Sequence, residues 1–159
     1  MNFLPRMKKM MMKMLPLLSL LLTLLPVTAT GEDFFKDVEL DRFIEQEKER
    51  VERIQKKVIA KGEPVRFVAL IKRQPEAKKM TYVYTAMQAA GVSPLPDVEH
   101  RMFIETVEKR IISVYVEKMA AQRLMEKLKV GTKVQFLAYH VYSYDKGPAL
   151  LIVDSIAVK

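Results

Sequence analysis

The sequence predicts a mainly β fold of the α+β class: five strands, one helix between the third and fourth strands, and a long amphipathic helix at the start. Three observations predict it. Residues 133–158 form two apolar runs around a Gly-containing turn, the first with strict alternation at its start, as expected of a hairpin. Residues 119–128 are rich in good helix formers. Residues 40–58 carry apolar side chains at spacings of four and three, which is typical of a helix with one apolar face.

Composition sets the class of protein. The chain has 159 residues, which is enough for one domain, and its formal net charge is +8. Without the first 29 residues, 23 basic and 19 acidic residues remain, so the net charge falls to +4. That balance is ordinary for a protein surface and indicates no nucleic-acid partner. The chain has no Cys, which excludes disulfides, cysteine metal sites and a lipid anchor on an N-terminal Cys.

The N-terminal segment predicts export. Four basic residues precede an apolar run of about 14 residues, and small residues follow at Val27-Thr28-Ala29. This pattern predicts a signal peptide, residues 1–29, cleaved after Ala29, with a periplasmic or secreted bacterial product. The alternative is an uncleaved anchor, but the run is shorter than the ~20 residues that a membrane helix needs. Cleavage would leave no stable membrane span.

Residues 31–62 predict a long charged helix that Gly62 ends. Its apolar seam has one polar member, Glu47, at spacings typical of a coiled coil. Two interpretations follow: the seam binds a partner helix or a second copy of the chain, or it packs on the sheet of its own domain. The apolar members of this candidate seam are Leu40, Ile44, Val51, Ile54 and Val58.

The central segment predicts a strand, an insert and two more strands. Residues 65–72 are apolar and flanked by charge, and the Gln74-Pro75-Glu76 triplet is expected to end that strand. In the insert, residues 74–97, a helix over 78–90 is favoured over a strand. Residues 99–107 and 110–117 are then predicted to pair across Glu108-Lys109. A single helix over 98–128 is the competing interpretation, but its apolar positions scatter around the helical wheel.

In the order strand, insert, strand, strand, helix, strand, strand, the chain resembles the OB-fold superfamily. The sequence segments that carry the resemblance are IISVYV, AAQRLMEKL and GTKVQFLAYHVYSYDKGPALLIVDSIAV, within residues 64–158. The resemblance implies a five-stranded barrel with a helix between the third and fourth strands, as in small exported bacterial proteins of this type. The insert departs from the simplest pattern.

The sequence motifs give little support for catalysis or metal binding. His100 and His140 are the only histidines, and neither lies in a zinc-binding motif. The chain carries no nucleophile elbow and no glycine-rich phosphate loop. The sequence therefore predicts a protein that is not an enzyme, with no cofactor and no metal.

The aromatic residues of the C-terminal strands, with nearby cations, predict a candidate ligand surface. Packing of half-buried sheet faces, with the hydroxyls at the edge, is the favoured explanation of these residues. Export argues against a nucleic-acid ligand, so the expected function is an exported binding module for an unknown protein or small ligand. The alternative is an interaction protein that dimerises through the seam. The candidate surface consists of Tyr115, Tyr139, Tyr142, Tyr144, Arg110 and Lys133.

Overall fold

The computed structural model describes residues 34–158. The predicted signal peptide and its cleavage after Ala29 lie outside these residues. The described part is mainly β, with six strands in one sheet and three helices. In chain order the elements are β1 (Lys36–Asp37), α1 (Leu40–Ile54), β2 (Val58–Ala77), α2 (Tyr82–Ala89), β3 (His100–Glu105), β4 (Ile111–Val116), α3 (Lys118–Lys127), β5 (Lys133–Tyr144) and β6 (Gly147–Ala157).

The strands pair so that the sheet closes on itself. β2 and β3, β3 and β4, and β5 and β6 are antiparallel, and β4 pairs with β6 in parallel. β5 also pairs with β2, so five strands form a closed ring in the order β2-β3-β4-β6-β5. β1 lies outside this ring and runs parallel to β2.

The main core fills the ring. Alternate residues of each ring strand point inward, as the two-residue period of a strand requires. Two helices add side chains to the same core: Leu40 and Ile44 from α1, and Ala120, Ala121 and Leu124 from α3. The inward side chains of the strands are Val65, Phe67, Ala69, Ile71, Met102, Ile104, Val114, Val116, Val134, Phe136, Ala138, Leu150 and Ile152.

α1 is shorter than the predicted helix. Glu39 caps its start by accepting hydrogen bonds from the amides of Asp41 and Arg42, at 3.0 and 2.8 Å. It ends at Ile54 because Gln55 adopts a left-handed backbone with φ of 54°. The prediction that the helix continues to Gly62 is therefore wrong: β-branched Val58 and Ile59 already pair with β5.

The seam packs on the chain's own sheet. Leu40, Ile44, Glu47 and Val51 are buried, and α1 contacts β2, β5 and β6. Ile54 is exposed, while Val58 belongs to β2 rather than to the helix. Of the two interpretations of the seam, the structure shows packing within the domain.

β2 is far longer than residues 65–72. It continues through Gln74-Pro75-Glu76, so the prediction that this triplet ends the strand is wrong. The pairing with β3 shifts register between Arg73 and Glu76, and Pro75 sits within that irregularity, where the ladder does not require its missing amide. A second shift lies between Ile59 and Glu63, where Gly62 has φ of +65°.

The remaining elements follow the predicted order. The helix within the insert, the pairing of residues 99–107 with 110–117, the helix over 119–128 and the C-terminal hairpin are confirmed, with shifts of a few residues in their bounds. A single helix over 98–128 is excluded, because two strands precede α3 there. β1 was not predicted: it falls where the long helix was expected to begin, and the Arg66 guanidinium binds the Asp37 carboxylate across the pair at 2.6 and 2.8 Å.

Candidate functional site

Three of the predicted surface tyrosines lie together, but under α2. The hydroxyls of Tyr115 and Tyr142 are 2.6 Å apart, and the rings of Tyr142 and Tyr144 have centroids 5.8 Å apart. The Tyr82 ring of α2 packs edge-on against Tyr142, which is only 6% exposed. Burial, then the hydrogen bond with Tyr115, raises the pKa of Tyr142 well above its usual range. This cluster is therefore a neutral, packed contact between α2 and the sheet.

The other predicted surface residues lie apart from that cluster. Lys133 is exposed at the opposite end of β5. Arg110 binds the carboxylates of Glu45 and Glu108, and the hydrogen bond with Glu45 raises its pKa. Tyr139 lies on the outer face of β5, with its ring centroid 5.8 Å from that of Phe35. The structure therefore brings Tyr115, Tyr142 and Tyr144 together, and it does not bring Tyr139, Arg110 and Lys133 to them.

A buried polar network links α1 to β5. The Ser143 hydroxyl donates to the Glu47 carboxylate at 2.6 Å and lies 2.7 Å from His140 Nε2. The Ser143 hydroxyl uses its one hydrogen in the bond to an ionised Glu47 carboxylate. It can therefore only accept a hydrogen bond from His140, so the Nε2 atom of His140 carries a hydrogen and is the donor. A base that activates serine must accept the hydroxyl proton instead. His140 and Ser143 are also fully buried, so this pair is poorly suited to nucleophilic catalysis.

The same network makes stability depend on pH. Burial lowers the pKa of His140 from its ordinary 6.5, against the opposing fields of Glu47 and Glu63. Within residues 34–158, its Nδ1 atom has no hydrogen-bond partner. As pH falls below 6.5, the unfolded chain binds a proton before the folded one does, so the folded state loses stability until its own His140 becomes protonated.

We therefore expect the free energy of unfolding to fall by at most about 1.4 kcal/mol per pH unit below pH ~6.5 through this one group. Urea titrations from pH 7.5 to 5.5 measure it. The His140→Gln variant should show a flatter dependence, whatever its absolute stability. Carboxylates such as Glu105, whose pKa the hydrogen bond from Lys72 lowers from 4.5, change stability at lower pH. Equal slopes for the two proteins would contradict the assignment.

The outer face of β2 and β3 carries an aromatic residue between two cations. Phe103 points outward because its neighbours Met102 and Ile104 point into the ring. The guanidinium carbon of Arg73 lies 4.7 Å from the Phe103 ring centroid, and that of Arg101 lies 5.2 Å away. These are cation–π distances. Sequence reasoning missed this group, although the outward position of Phe103 in the alternating segment HRMFIE could have indicated it.

The two cations of this face differ in their partners. Arg101 donates to Glu76 at 2.6 Å, and that hydrogen bond lowers the pKa of Glu76. Arg73 is exposed, and no carboxylate of residues 34–158 forms an ion pair with it. Lys72 and Lys109 share a single carboxylate, Glu105, nearby. This face therefore holds more positive than negative charge, next to an aromatic ring.

A cleft opens on another part of the sheet. It has a volume of about 460 Å³ and lies between the outer face of β5 and β6 and the segment that follows α2. Tyr139 is the one predicted surface residue that lines it. Its lining residues are Lys61, Gly62, Met87, Ala90, Gly91, Val92, Ser93, Pro94, Pro96, Tyr139, Val141, Leu151 and Val153.

No family model matches the chain, and no curated protein matches it significantly. Between residues 34 and 158, no helix is long and apolar enough to cross a membrane. In the same range no three His, Cys, Asp or Glu side chains cluster as metal ligands would. Function is therefore inferred from the surfaces described above.

Proposed function

We propose that the protein is an exported, non-catalytic binding module with an OB-like barrel. The closed ring supports this architecture, because α3 connects its third strand in chain order, β4, to its fourth, β5. The insert, with α2, lies between the first and second ring strands, β2 and β3. The signal-like segment that ends at Ala29 supports a periplasmic or secreted location.

The observation that carries the binding function is the outward Phe103 ring beside the guanidinium of Arg73, which forms no ion pair within residues 34–158. In OB folds the face of the second and third strands binds oligonucleotides and oligosaccharides. Here those strands are β3 and β4: Phe103 lies on β3, and Arg73 lies on the neighbouring strand β2. A guanidinium binds carboxylates and sulfates through paired hydrogen bonds, and an aromatic ring offers an apolar face for a sugar. The ligand class is therefore an anionic saccharide, since export argues against a nucleic acid.

The Arg73→Gln variant tests this function. It removes the positive charge and keeps a polar side chain of similar length. We expect its affinity for a sulfated disaccharide to fall at least about tenfold, the size of one charged hydrogen bond of about 1.5 kcal/mol. Isothermal titration measures it. Because Arg73 is exposed, the loss of its contact with Phe103 should lower the free energy of unfolding by less than about 1 kcal/mol, as urea titration measures.

The matched control is Lys127→Gln, which removes a charge from the exposed face of α3. It should leave the affinity unchanged, and the desulfated disaccharide should bind weakly to every variant. The face is not the ligand site if Arg73→Gln and Lys127→Gln bind the sulfated sugar equally well.

A further inference from the structure

The cleft beside Tyr139 has the size and lining of a small-molecule site. Pockets for small ligands usually measure about 300–1,000 Å³ and combine apolar walls with a few polar groups. This one is about 460 Å³. Val141 and Leu151 form a buried apolar floor on the sheet, and Met87 of α2 adds a buried wall. Prolines of the loop after α2 form the outer rim.

Among residues 34–158, one charged side chain lines the cleft, that of Lys61, and no Asp or Glu of this range does so. Within residues 34–158, Lys61 forms no hydrogen bond and no ion pair. The Tyr139 hydroxyl also has no hydrogen-bond partner in that part of the chain. Among the described residues, three side-chain donors therefore line an otherwise apolar cleft: those of Lys61, Tyr139 and Ser93.

The irregularity of β2 explains why Lys61 is available. Ile59 pairs with Tyr142 and Glu63 with His140, so the residues between them leave the regular ladder. Gly62 has a positive φ there, a conformation that favours glycine. The bulge places Lys61 and Gly62 along the cleft, near Tyr139, whose partner in β2 is Pro64.

We propose that this cleft binds a small amphipathic carboxylate, with its apolar part on the accessible surfaces of Val92 and Val153 and its carboxylate at Lys61 and Tyr139. A single ammonium matches a single negative charge, whereas a phosphate ester carries nearly two. An organic cation would meet Lys61 and no carboxylate. The site is separate from the Phe103 face, so it does not depend on the function proposed above.

Decanoate, kept below the concentration at which it forms micelles, is the probe. Met87 provides the readout, because its methyl group can be labelled with carbon-13 and observed by NMR while decanoate is added. We expect the Met87 resonance to shift until the site is saturated. The Lys61→Met variant, which keeps the aliphatic stem, should bind decanoate at least about tenfold more weakly. Decanol should bind wild type and Lys61→Met equally.

Two further variants make the test decisive. Lys127→Met removes a charge from α3 and should bind decanoate as wild type does. Ala90→Phe should fill the cleft and abolish binding of both decanoate and decanol, and Ser93→Phe on the exposed rim replaces it if Ala90→Phe does not fold. The proposal fails if decanoate leaves Met87 unshifted, if Lys61→Met binds it with wild-type affinity, or if the filled cleft still binds. Sulfated-sugar binding by Lys61→Met should be normal, which separates this site from the other.

Discussion

Ile44→Asp is expected to unfold the protein, whereas Ile54→Asp on the same helix is expected to leave it folded. Ile44 is 2% exposed and Ile54 is 50% exposed. Removing a buried Ile side chain costs about 2–5 kcal/mol, and an unpaired buried carboxylate adds several more. The sum matches the whole stability of about 5–15 kcal/mol that is usual for a domain. Circular dichroism and urea unfolding measure both variants.

The pair also separates the two interpretations of the seam. A dimer through the seam would use both residues, so both variants would give a folded monomer by light scattering. Packing within the domain predicts loss of the fold for Ile44→Asp alone. The environment of Ile44 favours the second outcome: a Cβ added to Gly147 would lie only 3.2 Å from its Cγ2 atom, so α1 already packs closely on the β5–β6 hairpin. A folded Ile44→Asp monomer would contradict this account.

Sequence predicts the parts of this fold that depend on local patterns. The alternation of Val134, Phe136 and Ala138 predicts β5, because one face of that strand fills the ring. The helix formers of α3 and the turn before Gly147 are local in the same sense. β1 could not be predicted, because it is two polar residues long and its order comes from pairing with Val65 and Arg66, far along the chain.

The bounds of β2 and the positions of the sites could not be predicted from the sequence for the same reason. Pro75 reads as a strand breaker, and only the irregular pairing with β3 makes it acceptable there. The apolar periodicity of the seam correctly predicts a buried helix face, but it does not predict which surface that face packs against. The presence of Lys61 and Tyr139 in one cleft, and the contact of Arg73 with Phe103, depend on strand register, which residue spacing does not give. The tyrosines were identifiable as a group, yet the cover over them comes from α2, part of a distant insert.

Leu124→Ala should cost about 3 kcal/mol of unfolding free energy, within the about 2–5 kcal/mol usual for a fully buried leucine. Leu124 is 0% exposed and belongs to the core inside the ring. The side chain of Gln74 donates to the Leu128 carbonyl at 2.6 Å and so ties the end of α3 to β2. Because α3 is held at its end, it cannot move fully into the space that the variant opens, and the cavity persists. Urea unfolding measures the loss.

Met125→Ala is the matched control, because the neighbouring side chain is 45% exposed and should cost less than about 0.5 kcal/mol. The difference between the two variants measures how far α3 contributes to the interior of the ring rather than merely covering it. Xenon or benzene binding to Leu124→Ala alone would show that the new space is an apolar cavity. Equal losses for the two variants would mean that α3 lies on the ring without filling it, and the closed core described here would then lack its helical wall.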